Sequence, residues 1–342
     1  MGPRKKKARR RSGRGQRRTS TRREWVGGRL LSPFYITENE PYRPEMDLWL
    51  ELPEDLILGF SLVDPNLPPT PFGDSLLQAM EAPAAGPPRR PARVRVASDR
   101  LAAEVRAVVP EISVDVAPTP ELDSVLQMMA ESGPAGGRVT QPSYFEGGRV
   151  SQQAVRRLFE AAELLHSAAP WEVAKDHQVV RLEIPQLGVE GACVSIIGAM
   201  GESFGLIIFP SPMAYEAFVT TAMQHSLGGG GPIDLGDTSL SFNLERAADL
   251  PPSMRREAVE GGYPVASVSA YPWIQCRERD GMARPLVERD VRIASACAVS
   301  IAKFFSKHRD VLERDALDEP LSESFLDEDD LEVRLTVPHE AL

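Results

Sequence analysis

Three runs, at residues 178–184, 192–198 and 204–209, carry the strongest pattern in the chain: short, β-branched and apolar on successive positions in the last two. That is the signature of strands covered on both faces, since a helix of such length would be too short. Gln186-Leu187-Gly188 turns the first run into the second. Gly198-Ala199-Met200-Gly201-Glu202-Ser203 turns the second into the third, with two glycines where the backbone needs positive φ. A three-stranded antiparallel meander is predicted.

Upstream, Asp47-Leu48-Trp49-Leu50-Glu51-Leu52 and the apolar run 56–63 flank Pro53-Glu54-Asp55, which predicts a hairpin over 46–65. A strand at 93–96 is followed by a Ser98 or Asp99 cap and helical apolar positions at Leu101, Val105 and Val108, then by a second strand at 112–116. Thr119-Pro120-Glu121 starts the next helix, with a capping hydroxyl, proline at the first turn and an acid at the positive dipole end. Its buried face is Leu122, Val125, Leu126 and Met129.

A helix after Ser151 places Val155, Leu158, Phe159, Ala162 and Leu165 on one face and Arg156, Arg157, Glu160 and Glu163 on a solvated one. Residues 214–225 read as a helix, and 240–244 and 265–274 as strands, with Pro272 suited to an edge or bulge. The longest helix is predicted over 290–308, with Val291, Ala294, Ala298, Ile301 and Phe305 on its core stripe. The densely acidic run 313–332 reads as a solvated loop before a final edge strand at 331–337.

Breakers divide the chain. Residues 65–91 hold eight prolines around an amphipathic piece at 74–80, and 132–148 hold five glycines and two prolines. The expected order is a basic disordered tail at 1–29, a small α/β domain with a proline-rich wrap at 30–131, a linker at 132–148, and a domain with the meander at 149–342. The fold class is α+β: an N-terminal hairpin plus a strand-helix-strand-helix unit, then a C-terminal antiparallel sheet packed with helices. That unit resembles half of an open α/β sheet, but its first turn, Ala97-Ser98-Asp99-Arg100, has no glycine-rich phosphate cradle. The four glycines at 228–231 are followed by Pro232-Ile233-Asp234, with no Lys-Ser/Thr, and read as a connector.

Charge sharpens this division. The formal net charge is -10, yet residues 1–29 carry 13 Lys or Arg and one acid, and the remainder 26 basic and 48 acidic residues. The basic part is thus +12 and the body -22. Residues 1–23, with Arg4, Lys5, Lys6, Lys7, Arg9, Arg10 and Arg11 foremost, have almost nothing to bury. Such an arm neutralises nucleic-acid phosphates by counterion release, or meets an acidic protein surface, including its own body. Arginine outnumbers lysine 33 to 6, as GC-rich bacterial codons would produce. No run reaches the about 18 to 20 apolar residues of a membrane span, nor the about 7 to 15 of a signal-peptide core, so a cytoplasmic protein without membrane attachment is expected.

The chemistry-bearing residues are scattered. Cys193, Cys276 and Cys297 are widely spaced in apolar surroundings, the reading for buried free thiols. The five histidines, His166, His177, His225, His308 and His339, show no metal-ligand spacing, and no cofactor or metal is expected. Asp176 and His177 are adjacent at a strand start, where neighbours point to opposite faces. An enzyme, hydrolase or transferase, would have to draw on Asp176, Glu183 and Glu202 around the meander. The plainer reading of Glu202 is an exposed turn residue, and of Trp171 a plug at the end of a core.

Trp171, Asp176, Gly198, Gly201, Glu202, Phe204 and Gly205 resemble the pattern of an uncharacterised bacterial family of domains of unknown function, in which Trp and Asp open a strand and a Gly-x-x-Gly-Glu-x-Phe-Gly turn joins the next two. The resemblance extends loosely over 45–340 and implies a fold unit without implying a catalytic residue. Many members continue into a SecA-type Cys-rich zinc motif. The stretch at 338–342 lacks the Cys-x-Cys and His-Cys pairs of that motif, so no structural zinc is expected. The expected role is that of a binding or accessory protein, associated with nucleic acid through the arm, with a carboxylate enzyme as the alternative. Oligomeric state is left open.

Overall fold

The computed structural model describes residues 23–37, 40–64, 67, 68, 70–132, 141–174, 178–199, 201, 203–226, 238–314, 317, 319–327 and 330–338. Among these are seven α-helices and thirteen strands in an α+β arrangement. The chain divides into two compact units, one of residues 1–34 and 43–135, the other of 35–42 and 136–342.

The first unit holds β1 (Glu24–Leu31), β2 (Glu45–Leu52), β3 (Leu56–Val63), α1 (Phe72–Glu81), β4 (Arg93–Val96), α2 (Asp99–Val108), β5 (Ser113–Val116) and α3 (Pro120–Ser132). The sheet order is β3-β2-β1-β4-β5. β1 is antiparallel to β2 and parallel to β4. Strand alternation then sorts the two faces. Trp25, Trp49 and Val94 pack with Phe72 of α1 and Leu101 and Val105 of α2. Val26, Leu48 and Leu50 pack with Leu122 and Val125 of α3.

β1 corrects the sequence reading, because residues 24–29, grouped with the basic tail, form the central strand. Its glycines hid it, and they are there for steric reasons. A side chain at Gly27 would occupy the space of the Trp49 ring, and one at Gly28 would come within 2.7 Å of Leu122 Cδ1. The hairpin, the strand at 93–96 and the α2 start agree with expectation, and Ser98 Oγ accepts from the Leu101 amide at 3.4 Å.

The second unit contains α4 (Gln152–Ala168), β6 (Val179–Ile184), β7 (Val189–Ile197), β8 (Phe204–Phe209), α5 (Pro212–Ser226), β9 (Ser239–Glu245), α6 (Pro252–Glu260), β10 (Tyr271–Arg277), β11 (Ala283–Arg284), α7 (Glu288–Arg314), β12 (Leu321–Leu326) and β13 (Glu332–Val337). Its strands join in one antiparallel sheet of order β11-β10-β9-β8-β7-β6-β13-β12. The predicted meander is β6-β7-β8. Val180, Leu182, Val194, Leu206 and Phe242 face α4 and α7, while Val179, Cys193 and Phe209 face α5. Each such fully buried aliphatic or Phe side chain contributes roughly 1.5–3 kcal/mol.

Three expectations shift here. Residues 141–148, assigned to the linker, pack into this unit: Tyr144 is buried and its hydroxyl donates to Pro272 O at 2.9 Å. The strand expected at 265–274 begins only at Tyr271, because Ser267 O accepts from the Ala270 amide in a turn. Within the acidic run lies β12, which is the edge, leaving β13 interior between β6 and β12. Its alternation turns Leu321 and Phe325 to the core.

Candidate binding trough on the helix layer

Of the carboxylates suggested by the sequence, Glu183 alone is among the described residues. Asp176 and Glu202 lie outside them, as do Arg4, Lys5, Lys6, Lys7, Arg9, Arg10 and Arg11. Glu183 lies on β6 opposite Arg334 of β13, with which it pairs at 3.6 Å. Val179, at the other end of β6, pairs with Ser195 near the end of β7, so Glu183 is far from the loop that joins β7 to β8.

Around that loop the motif residues serve packing. The Trp171 and Phe204 rings are 4.9 Å apart and seal the core's end. Gly198 has φ of 141°, and a side chain there would lie 2.7 Å from both residues. At Gly205 it would strike the Phe242 carbonyl.

The three thiols are buried and outside any disulfide, as expected. Burial pushes Cys193 up to about 11 and raises Cys276 and Cys297 as well. A raised thiol is the opposite of what a thiolate nucleophile requires. The Arg284 guanidinium donates to Cys276 Sγ at 3.1 Å and to Asp290 at 2.7 Å. Among the described residues, no group of three or more His, Cys, Asp or Glu could hold a metal ion. No helix of the described residues is long and apolar enough to cross a membrane.

One cluster escaped the sequence reading. Glu323 on β12 accepts from Lys307 Nζ at 2.5 Å and meets His308 Nε2 at 2.7 Å. These two hydrogen bonds hold its carboxyl below the usual carboxylate range.

The other feature is a trough along α4 and α7. The Ser151 amide donates to Glu288 Oε2 at the helix starts, and Arg309 meets Ala168 O and Glu172 near their ends. The helices therefore run side by side in the same direction. Small residues such as Ala161, Ala296 and Ala302 line the gap between them. One section, about 270 Å³, is walled by Ala161, Leu164, Ala296, Val299 and Leu326, with Arg157, Glu160, Ser295, Lys303 and Asp327 around it. The adjoining section, about 520 Å³ and more open, shares Leu164 and Lys303 and adds Ser167, Ser306 and Lys307.

Two polar groups of the trough are unspent. Ser295 is buried and its hydroxyl has no hydrogen-bond partner among the described residues. Lys307 pairs with Glu323 and Arg309 with Glu172 and Glu313, but Lys303 has no ion-pair partner among the described residues. Leu164 and Leu326 are 46% and 66% exposed, unusual for large apolar side chains that converge on one place. The sequence reading took Arg157 and Glu160 for a solvated face of α4 and named only the core stripe of α7, to which none of the trough's α7 residues belongs.

The first unit offers a smaller cavity, about 160 Å³, beside Asp47, Trp49 and Ser75. Its polar wall is occupied. Arg29 donates to both Asp47 oxygens at 2.7 and 3.0 Å, and Trp49 Nε1 donates to Ser75 Oγ at 2.9 Å.

Comparison with known families agrees with the resemblance to domains of unknown function. Residues 11–131 match the family model of a domain of unknown function (DUF6930), and residues 156–301 match that of another (DUF7309). The trough residues from Arg157 to Ser167 on α4 and from Ser295 to Val299 on α7 fall within the second match, whereas Lys303, Ser306, Lys307, Leu326 and Asp327 lie beyond it. No curated protein and no solved structure matches the chain.

Proposed function

We propose that this pair of domains of unknown function is a binding or accessory protein that engages its ligand in the α4–α7 trough. One observation carries the reading: exposed Leu164 and Leu326 converge there with a cation, Lys303, and a hydroxyl, Ser295, that have no ion-pair or hydrogen-bond partner, respectively, among the described residues. Ligand sites combine an apolar wall with a few convergent polar groups in this way. Backbone amide hydrogen exchange across a panel of small molecules and peptides tests it. Protection should concentrate on α4 and α7 and vanish in Leu164→Glu. Protection confined to the loops of the 171–209 region would instead favour the carboxylate enzyme.

The charge division, +12 against -22, favours a second, compatible activity: the basic arm holds nucleic acid or an acidic surface. Retention on immobilised RNA and DNA across a salt gradient, for the full chain and for one lacking residues 1–22, tests this. Arg23 must stay, because its carbonyl accepts from the Ala92 amide at the edge of β1. Equal retention of both chains would remove the arm from the account.

A further inference from the structure

We infer that the α4–α7 trough takes an amphiphilic organic anion, a carboxylate carried on an aliphatic chain; this rests on the trough being the binding site. The trough has a direction. Along α7 its lining runs from Ser295 and Ala296 through Val299 to Lys303, Ser306 and Lys307, and along α4 from Arg157 and Glu160 through Leu164 to Ser167. Acidic side chains, Glu160 and Asp327, line only the first section. In the second, the charged lining residues are Lys303 and Lys307.

In the first section Arg157 and Lys303 balance those acids, whereas both charged residues of the second are cations, so an anionic head is favoured toward the second, while its chain covers Leu164, Val299 and Leu326. Lys303 stands where the sections join and has no carboxylate of its own among the described residues. A carboxylate beside it gains a charge-assisted hydrogen bond without breaking an ion pair. The carbonyl end of α4 opposes an anion through its dipole; there Arg309 Nη1 caps Ala168 O at 3.5 Å while the guanidinium pairs with Glu172 and Glu313, so the attraction rests on Lys303. The apolar section, about 270 Å³, lies near the lower end of ligand-pocket volumes and suits a medium-length chain.

The test is calorimetric titration of the full-length protein with decanoate, decylamine and decanol below micelle formation, with octanoate for chain length. Lys303→Glu, Lys303→Ala and Leu164→Glu alter exposed side chains, and thermal unfolding checks that each still folds. Expected are saturable decanoate binding, at least about tenfold weaker in Lys303→Glu and weaker in Lys303→Ala, and a loss of roughly fourfold per methylene removed. Decylamine should bind less tightly than decanoate. If decanol, decylamine and decanoate bind alike and only Leu164→Glu abolishes binding, the anion class is overturned and the trough stands as the site. If none of them binds, or binding ignores Leu164→Glu, the trough reading falls with it.

Discussion

In the first unit, buried polarity is closed upon itself. Asp47 and Arg29 are 1% and 6% exposed and doubly hydrogen-bonded, and Arg29 also reaches Thr70 O at 2.7 Å. Glu51 accepts from both Trp25 Nε1 and Arg89, and Ser75 passes the Trp49 hydrogen bond to Phe72 O. In the helix layer of the second unit, Ser295 is buried without such closure and Lys303 stands beside exposed leucines without an ion pair among the described residues. The same kinds of groups, buried hydroxyl and cation, are thus spent on scaffold in one unit and left available in the other. A paired network fixes a core, and unspent capacity next to apolar surface is what a ligand can use.

The comparison breaks first at the buried ion pair. Arg29→Ala leaves Asp47 buried without its partner, and chemical denaturation should show the first unit destabilised by about 3–5 kcal/mol. Next, Gly27→Ala pushes a methyl group into the Trp49 ring, and a loss of about 1–3 kcal/mol is expected in the same assay. Paired serine substitutions then give opposite signs. Ser75→Ala strips Trp49 Nε1 of its acceptor and should cost about 1–2 kcal/mol, whereas Ser295→Ala removes an unpaired hydroxyl and should leave stability unchanged or raise it by up to about 1 kcal/mol. If both substitutions destabilise equally, Ser295 is not unspent and the contrast fails.

The smallest effect is on pH dependence. The Arg95 hydrogen bond holds Glu121 below its ordinary carboxylate value, and burial of Glu24, which alone would raise it, is outweighed by Arg93 and Arg95. Because both folded values are depressed, their contribution is complete above about 4.5 and is lost as the pH falls through the lower folded values. Melting temperature measured against pH should drop more steeply in this acid range for the parent than for Glu121→Gln.

Much of the fold is legible in the sequence. The hairpin, the 93–132 unit and the α7 stripe announce themselves through a period of two or of about 3.6, since such a strand or helix presents one face to the core. The meander announces itself through short runs apolar on successive positions, since its strands are covered on both faces. β1 escapes because Gly27 and Gly28 interrupt its apolar pattern, and the reason for those glycines sits on β2 and α3. β12 escapes because Glu323 and its serines look like loop until Lys307 and His308 of α7 supply the partners.

The candidate site was the least legible part. Of the suggested carboxylates, Glu183 is occupied by Arg334, and Asp176 and Glu202 lie outside the described residues. The trough's members belong to α4, α7 and the end of β12, each unremarkable alone.

The chain's order of residues therefore determined where the helices and strands other than such exceptions as β1 and β12 form, which of their faces are apolar, that all three thiols are embedded, and that charge is divided between its beginning and its body. Tertiary structure alone decided that β1 is central, that Glu323 meets Lys307 and His308, and that Leu164, Ser295, Lys303 and Leu326 share one trough. The physical reason is range: periodicity and capping act over a few residues along the chain. Which side chain fills the space above a glycine or leaves a cation unpaired depends on elements that meet only when the sheet and its helices pack.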